Sequence, residues 1–336
     1  MEAISKVEGA LEKAAMSLAH VGEALGIPNL DPSSGKIFVT GGSGPVGHRV
    51  ALRLLNAGYP TVRVGVPHVD AAEGLNKLGA ETADFDWQND ATYAHALDGV
   101  RSVMCTAPYV EKWAERFPNF LEACKKAGVK HIVKVSFYHA RASGDVFQDV
   151  PLVRAHGDCD ELLTKSGISY TILAATHFMS NPFVFQEQEL RKDQKPATFY
   201  GASAGKGVNY VSPNDVAEVA VRALLEPKAH HNKEYVLTGP EAITDQTVAD
   251  LISKHLDKPI MYVDQPAHTF EDEEKMGGDP EWKIKDLVAL EKIKASGKEE
   301  DVSFVSRDIE TICGRKAETF EEYLLVKDYM TSVESA

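Results

Sequence analysis

The chain has 336 residues, 43% of them hydrophobic and 26% charged, with a formal net charge of −14. The apolar share excludes disorder as the dominant state, and the length suits two domains or one large α/β unit with additions. The acidic balance excludes a general role on nucleic acid or an anionic membrane surface, since both require clustered positive charge.

No apolar run approaches the ~18 residues of a membrane span. No cationic region followed by an apolar stretch opens the chain. No membrane association and a cytoplasmic location are therefore expected, with an organelle stroma or matrix left open. The cysteines Cys105, Cys124, Cys159 and Cys313 are widely spaced, without a C-x-x-C pair or metal-ligand spacing. Reduced structural thiols are expected, and no metal site.

In chain order, residues 1–26 read as one amphipathic helix. Ile4, Val7, Leu11, Ala14, Leu18, Val21 and Leu25 fall on a single stripe, and Gly26 and Pro28 stop it. The stripe packs on its own domain or docks on a protein partner or a second copy of the chain. A linker follows through residues 29–35. From Lys36 strands alternate with helices. Strands are expected at 36–40, 61–66, 81–85, 102–106, 131–136 and 170–173, with helices at 46–57, 71–78, 90–97, 113–127 and 152–166 between them. This alternation predicts a doubly wound parallel sheet of the Rossmann type. Beyond residue 180 the pattern loosens to helices at 215–225, 244–256 and 319–329 and strands at 234–238 and 260–263. The acidic stretch 264–300 gives no clear periodicity. The expected organisation is an N-terminal helix and linker (1–34), a dinucleotide-binding domain (35–180) and a smaller mixed substrate-side lobe (181–336).

The strongest motif is Thr40-Gly41-Gly42-Ser43-Gly44-Pro45-Val46-Gly47, which carries Gly-x-x-Gly-x-x-Gly directly after the first strand and before a helix. Gly41 allows the tight turn. Gly44 lets backbone N–H groups reach a pyrophosphate, and Gly47 lets the helix pack close to the strand. Pro45 suits the first helical turn, whose N–H groups face the phosphates together with those of the Ser43–Gly47 loop. The alternative is a glycine-rich turn that no longer holds ligand.

These residues also carry a resemblance. The glycine loop, Gly79-Ala80-Glu81 leading to Asp86, Ala123–Ser136 (ACKKAGVKHIVKVS), Ser166–Leu173, Phe178-Met179-Ser180-Asn181, Val211–Ala217 and Gly314-Arg315 resemble the NmrA-like group of atypical short-chain dehydrogenases/reductases. The resemblance runs from residue 36 to about 329. It implies NAD(P) across the carboxyl ends of the strands, with NADP slightly ahead of NAD. Carried over by position, Asp86 accepts from the adenine amino group. Trp87 lies against the adenine ring or packs in the core. Thr106, Ala107 and Pro108 line the nicotinamide ribose. Pro67 stands where the family often has an Arg for the 2′-phosphate, so the chain departs from the pattern there. His68 follows it, and Arg63 lies within the strand.

Reduction of a carbonyl requires a proton donor beside the developing alkoxide. The Tyr-x-x-x-Lys of dehydrogenases is absent from its place: His156 stands at the lysine position and Leu152 at the tyrosine position. Tyr323 and Lys327 repeat the spacing far outside that context. Ser136, Tyr138 and His156 remain as candidate catalytic residues. Each has an ordinary alternative, as a strand-end cap, as lid packing, and as a helix residue bonded to a backbone carbonyl. Phe178 and Met179 would roof the nicotinamide or pack in the core. A quinone or enone tolerates the loss of the Tyr–Lys pair, because its reduction yields a stabilised phenolate or enolate. Two functions are therefore expected in competition: an NAD(P)H-dependent reductase of a small apolar quinone, enone or related carbonyl, and a non-catalytic dinucleotide-binding regulator or assembly subunit.

Overall fold

The computed structural model describes residues 22–27, 35–142, 146–185, 197–298 and 303–325. The expected N-terminal helix lies outside these residues except for 22–26, and the linker except for Gly35. Gly26 does end a helical turn, with φ +64°, and Ile27 beyond it is buried in the core.

Short β-branched runs form the strands of the sheet, and buried helices connect them. In chain order these are β1 (Lys36–Val39), α1 (Pro45–Asn56), β2 (Val62–Val66), α2 (Glu73–Lys77), β3 (Glu81–Asp84), α3 (Tyr93–Ala96), β4 (Val100–Cys105), α4 (Phe117–Ala127), β5 (His131–Phe137), α5 (Pro151–Thr164) and β6 (Ser169–Ala175). After these come β7 (His177–Phe178), α6 (Asn181–Phe185), β8 (Ala197–Gly201), β9 (Val208–Val211), α7 (Pro213–Leu225), β10 (Lys233–Leu237) and β11 (Ala242–Ile243). The chain continues through α8 (Asp245–Leu256), β12 (Ile260–Asp264), α9 (Ala267–Gly277), α10 (Glu281–Ser296), α11 (Asp308–Cys313) and α12 (Phe320–Leu325).

Seven strands pair in parallel in the order β10-β6-β5-β4-β1-β2-β3. The order reverses between β1 and β4, which opens a crevice at their carboxyl ends. One face of the sheet packs Ile37, Val39, Val64 and Val133 against Val50 and Leu54 of α1 and Val216 and Ala220 of α7. The other packs Phe38, Val103, Ile132 and Ile172 against Leu97, Phe120 and Leu163. Burial on both faces is why the strands read as continuous apolar runs rather than alternating ones.

The smaller lobe holds a three-stranded sheet, β11-β9-β7, and a two-stranded one, β12-β8. Its core contains charge. Tyr210 donates to Asp245 (2.5 Å), Lys294 pairs with Glu291 (2.6 Å), and Glu291 accepts from the Ala202 N–H (2.8 Å).

The structure departs from the expected elements in three places. The boundary at residue 180 separates segments that the sheet joins, because β10 from beyond it pairs with β6 and α7 packs on α1. The helix expected over 113–127 begins as a 3-10 turn at Trp113–Arg116, and α4 starts afresh at Phe117. Pro118 has no N–H for the preceding turn, so a continuous helix would lose a bond there. The unreadable stretch 264–300 holds α9 and α10; the buried side of α10 carries Asp286, Glu291 and Lys294 beside Ile284, Val288 and Ile293. Paired charges on an inward face erase the apolar stripe that marks a helix in sequence.

All four cysteines are free, with Cys105, Cys124 and Cys159 buried and Cys313 partly so. Burial pushes the thiols of Cys105, Cys159 and Cys313 up to about 12, and that of Cys124 well above its ordinary value.

Buried histidines make the fold acid-sensitive. Burial lowers His131 to about 4 and His177 to about 3, from an ordinary 6.5. The unfolded chain therefore binds protons that the folded chain refuses. Stability is full above about pH 6.5 and falls as pH drops toward 4, by about 1.4 kcal/mol per pH unit for each such histidine. Chemical denaturation at a series of pH values should show this loss, and replacing His131 by Gln should remove one histidine's share of the slope.

Candidate functional site

The crevice begins at the glycine loop. Gly41 adopts φ +64°, and its carbonyl accepts the Gly44 N–H (2.9 Å), which closes the turn. A Cβ on Gly47 would stand 2.3 Å from the Gly41 carbonyl oxygen and 2.7 Å from that of Thr40. Only glycine allows α1 to start this close to β1. A Cβ on Gly42 would meet a Val64 methyl at 1.9 Å, a constraint the three-glycine pattern does not contain. Pro45 occupies the first turn of α1, no side chain caps the helix, and no acidic residue stands in that turn. Ser43 is exposed at the tip, and Val46 is buried beneath it. An uncapped helix start with no acidic residue in its first turn fits a diphosphate.

Thr40 and Thr106 tie β1 to β4 where the strand order reverses. The Thr40 hydroxyl donates to the Thr106 carbonyl (2.9 Å) and accepts from the Thr106 N–H (2.8 Å). The Thr106 hydroxyl donates to the Thr40 carbonyl (2.8 Å). Thr106 therefore fixes the floor of the crevice, while Ala107 and Pro108 are half-buried along its edge.

On the adenine side, Asp86 spends one carboxylate oxygen on the Gln88 N–H (2.9 Å). Its other oxygen has no partner among the described residues. Of the two roles open to Trp87, the geometry displays packing. The ring is 5% exposed and lies among Phe120 (centroids 4.8 Å apart), Phe85 (5.3 Å) and Trp113 (6.1 Å). Pro67 and His68 are exposed after β2. Arg63 is occupied elsewhere: it donates to Glu81 (3.0 Å) and to the Ala96 (2.9 Å) and Asp98 (2.8 Å) carbonyls.

At the carboxyl end of β5 the structure gathers four polar side chains. Strand alternation places Ile132, Lys134 and Ser136 on the face covered by α4 and α5. On α5, His156 and Asp160 are one turn apart. Lys134 Nζ donates to Asp160 Oδ1 (2.7 Å), and both side chains are 1% exposed. The Ser136 hydroxyl donates to Asp160 Oδ2 in a very short contact. Lys134 Nζ also lies 3.3 Å from Nδ1 of His156, whose ring stands beside Trp113 (centroids 5.1 Å apart). Burial, and the Lys134 ammonium after it, hold His156 well below the ordinary histidine range. Lys134 and Asp160 escape a reading by motif. Their signal is the spacing, i and i+2 on a strand against i and i+4 on the next helix.

Tyr138 stands apart from this cluster, with its ring parallel to that of Phe304 at 6.1 Å. Phe178 is half-buried and packs against the sheet core, and Met179 is buried in the smaller lobe. Leu152, at the place of the dehydrogenase tyrosine, gives its backbone N–H to Asp286 of α10 (2.9 Å). Tyr109, beyond β4, donates to the other oxygen of that carboxylate (3.4 Å). Asp286 thus ties α10 to the start of α5 and to the segment beyond β4.

A doubly wound parallel sheet, a glycine loop at its switch point and a polar cluster at the end of β5 define an NAD(P)-type Rossmann protein. The model of the NmrA-like family matches residues 33–330, and the chain belongs to that family. It is 29% identical over 290 residues to the NAD(P)H azoreductase of Xenophilus azovorans, covering 85% of this chain and 96% of that one. It is 28% identical over 228 residues to quinone oxidoreductase 2 of Escherichia coli, covering 67% and 76%. Among solved structures, an NADPH-dependent quinone oxidoreductase of Escherichia coli complexed with NADPH superposes with a TM-score of 0.71 at 24% identity, over 86% of this chain and 98% of that one. No helix among the described residues is long and apolar enough to cross a membrane, and none of their His, Cys, Asp and Glu side chains cluster in a group that could hold a metal ion.

The loop geometry makes a direct prediction. Gly47→Ala forces α1 away from β1, because both obstructing atoms are backbone. The dissociation constant for NADPH or NADH, measured by calorimetry, should rise more than about tenfold, with a lowered melting temperature.

Proposed function

We infer that the chain reduces a small, flat, conjugated acceptor, a quinone, enone or related carbonyl, with NAD(P)H as the hydride source. The observation that carries this reading is the polar cluster of Ser136, Lys134, Asp160 and His156 between β5 and α5, on the sheet whose first strand leads into the glycine loop. The relatives' activities on azo and quinone compounds point the same way.

The bound dihydronicotinamide supplies a hydride. The residues of this chain bind and orient around it. The amides of the Ser43–Gly47 loop hold the diphosphate, the free oxygen of Asp86 takes the adenine amino group, and Thr106, Ala107 and Pro108 line the ribose. The Ser136 hydroxyl donates its hydrogen bond to Asp160. Its lone pairs would then accept from an amide or hydroxyl of the cofactor. His156 offers a ring nitrogen to the acceptor. Leu152 has no proton to give, so an unactivated ketone would receive its hydride without an acid in place. A quinone needs none at that moment, because hydride addition yields a delocalised phenolate that water protonates afterwards.

The exposed Pro67-His68 stretch, without a fixed cation, favours a second reading, a dinucleotide-binding regulator. The two separate cleanly. Oxidation of NADPH or NADH by a panel of quinones, enones and azo dyes should be measurable. His156→Ala should slow it by about tenfold or more while leaving cofactor affinity within a few-fold. Tight dinucleotide binding with no acceptor reduced would sink the reductase reading and leave the regulator.

A further inference from the structure

We propose that Lys134, reaching out of β5, fixes His156 as a neutral imidazole with its proton on Nε2, so that the ring meets the substrate as an N–H donor and not as a base. The proposal rests on the reductase reading and deepens it by naming the group that polarises the acceptor and the residue that sets its state.

An ammonium has three protons and no lone pair. At 3.3 Å from Nδ1 it requires that nitrogen to be unprotonated. The one proton of a neutral ring then sits on Nε2. The opposite ring orientation would set a C–H against the ammonium and forfeit the bond. Lys134 has little freedom to leave. It is 1% exposed, paired with Asp160 at 2.7 Å, and 5.9 Å over the Phe117 ring.

Groups from every packed element agree. From β5 comes the Lys134 charge, and from the turn before α4 comes the Trp113 ring. On α5 itself the one nearby buried carboxylate is Asp160. Both of its oxygens are engaged, Oδ1 by Lys134 and Oδ2 by Ser136, so it is not available to stabilise an imidazolium. Cys105 and Cys159 near this pair keep their protons. In the Tyr–Lys dehydrogenases the cation stands on the helix. Here the cation comes from the strand, and the helix position holds the heterocycle. Lys134 is a positioning residue; it touches His156 and not the substrate.

A neutral N–H donor favours negative charge that develops on the acceptor, since it needs no proton transfer to act. Nε2 of His156 has no protein partner among the described residues and is left to make that bond.

The test uses full-length, 15N-labelled protein, with long-range 1H–15N correlation to read the ring tautomer and His156→Gln to identify the signal. The expected spectrum is that of neutral imidazole protonated on Nε2, persisting as pH falls below 6.5. Lys134→Met combined with Asp160→Asn removes both charges and leaves neither buried alone. In that variant His156 should titrate closer to the ordinary histidine range and mix its tautomers. Its kcat for quinone should fall about tenfold or more at little changed KM. A native ring protonated on Nδ1, or a titration that the double variant leaves unmoved, overturns the proposal. The native spectrum decides the matter even if the variant fails to fold. Because the tautomer is read without turnover, absence of any reducible acceptor would end the reductase reading and leave this one to be judged by the spectrum.

Discussion

A lysine inside a fully covered parallel sheet must be neutralised where it stands. Lys134 sits in β5 with 1% of its side chain exposed, and Asp160 on α5 takes its charge at 2.7 Å. Removing either partner alone would leave a buried charge, a change that typically costs about 3–5 kcal/mol. The pair therefore dictates where α5 docks on the sheet. That docking in turn sets the height of His156 and the direction of the Ser136 hydroxyl. An apolar pair of similar volume would hold the helix as well. It would not arrange a hydroxyl and an imidazole at the end of the same strand.

The second lobe is held to the sheet by the same kind of interaction. Asp286 of α10 accepts the Leu152 N–H at the start of α5 and the Tyr109 hydroxyl beyond β4. One carboxylate thus joins α10, the start of α5 and the segment after β4. Deeper in the lobe, Lys294, Glu291, Asp245 and Tyr210 form a buried network that ties α8, β9 and α10 together. Both lobes rely on buried, paired charges.

The legible part of this molecule was the part governed by backbone geometry. Gly41 and Gly47 announce their roles because only glycine satisfies a positive φ or an absent Cβ, and Pro45 because it suits a first helical turn. The strands of the sheet are legible because burial on two faces leaves them uniformly apolar. What was not legible depends on partners distant in sequence. Trp87 could serve ligand or core with equal chemical plausibility until Phe85, Trp113 and Phe120 surrounded it. Lys134 looks like a solvent-facing residue until Asp160, 26 positions later, appears beside it. The helix α10 hides because its inward charges are answered by residues of α8 and of the loop after β8. The extent of the sheet beyond residue 180 is hidden for a related reason. Local alternation ends there, while the sheet recruits one more strand from residue 233 onward.

The sulfur chemistry of the chain acquires meaning beside the proposed substrates. Quinones and enones are electrophiles, and they alkylate thiolates far faster than thiols. A protein that draws such compounds into a crevice risks being modified by them at every turnover. Its cysteines at positions 105, 124, 159 and 313 all hold their protons far above neutral pH. Cys105 and Cys159 are each 1% exposed and feel the charges of Lys134 and Asp160. Under the proposed function, burial that serves packing would also shield these thiols from the electrophiles drawn to the chain.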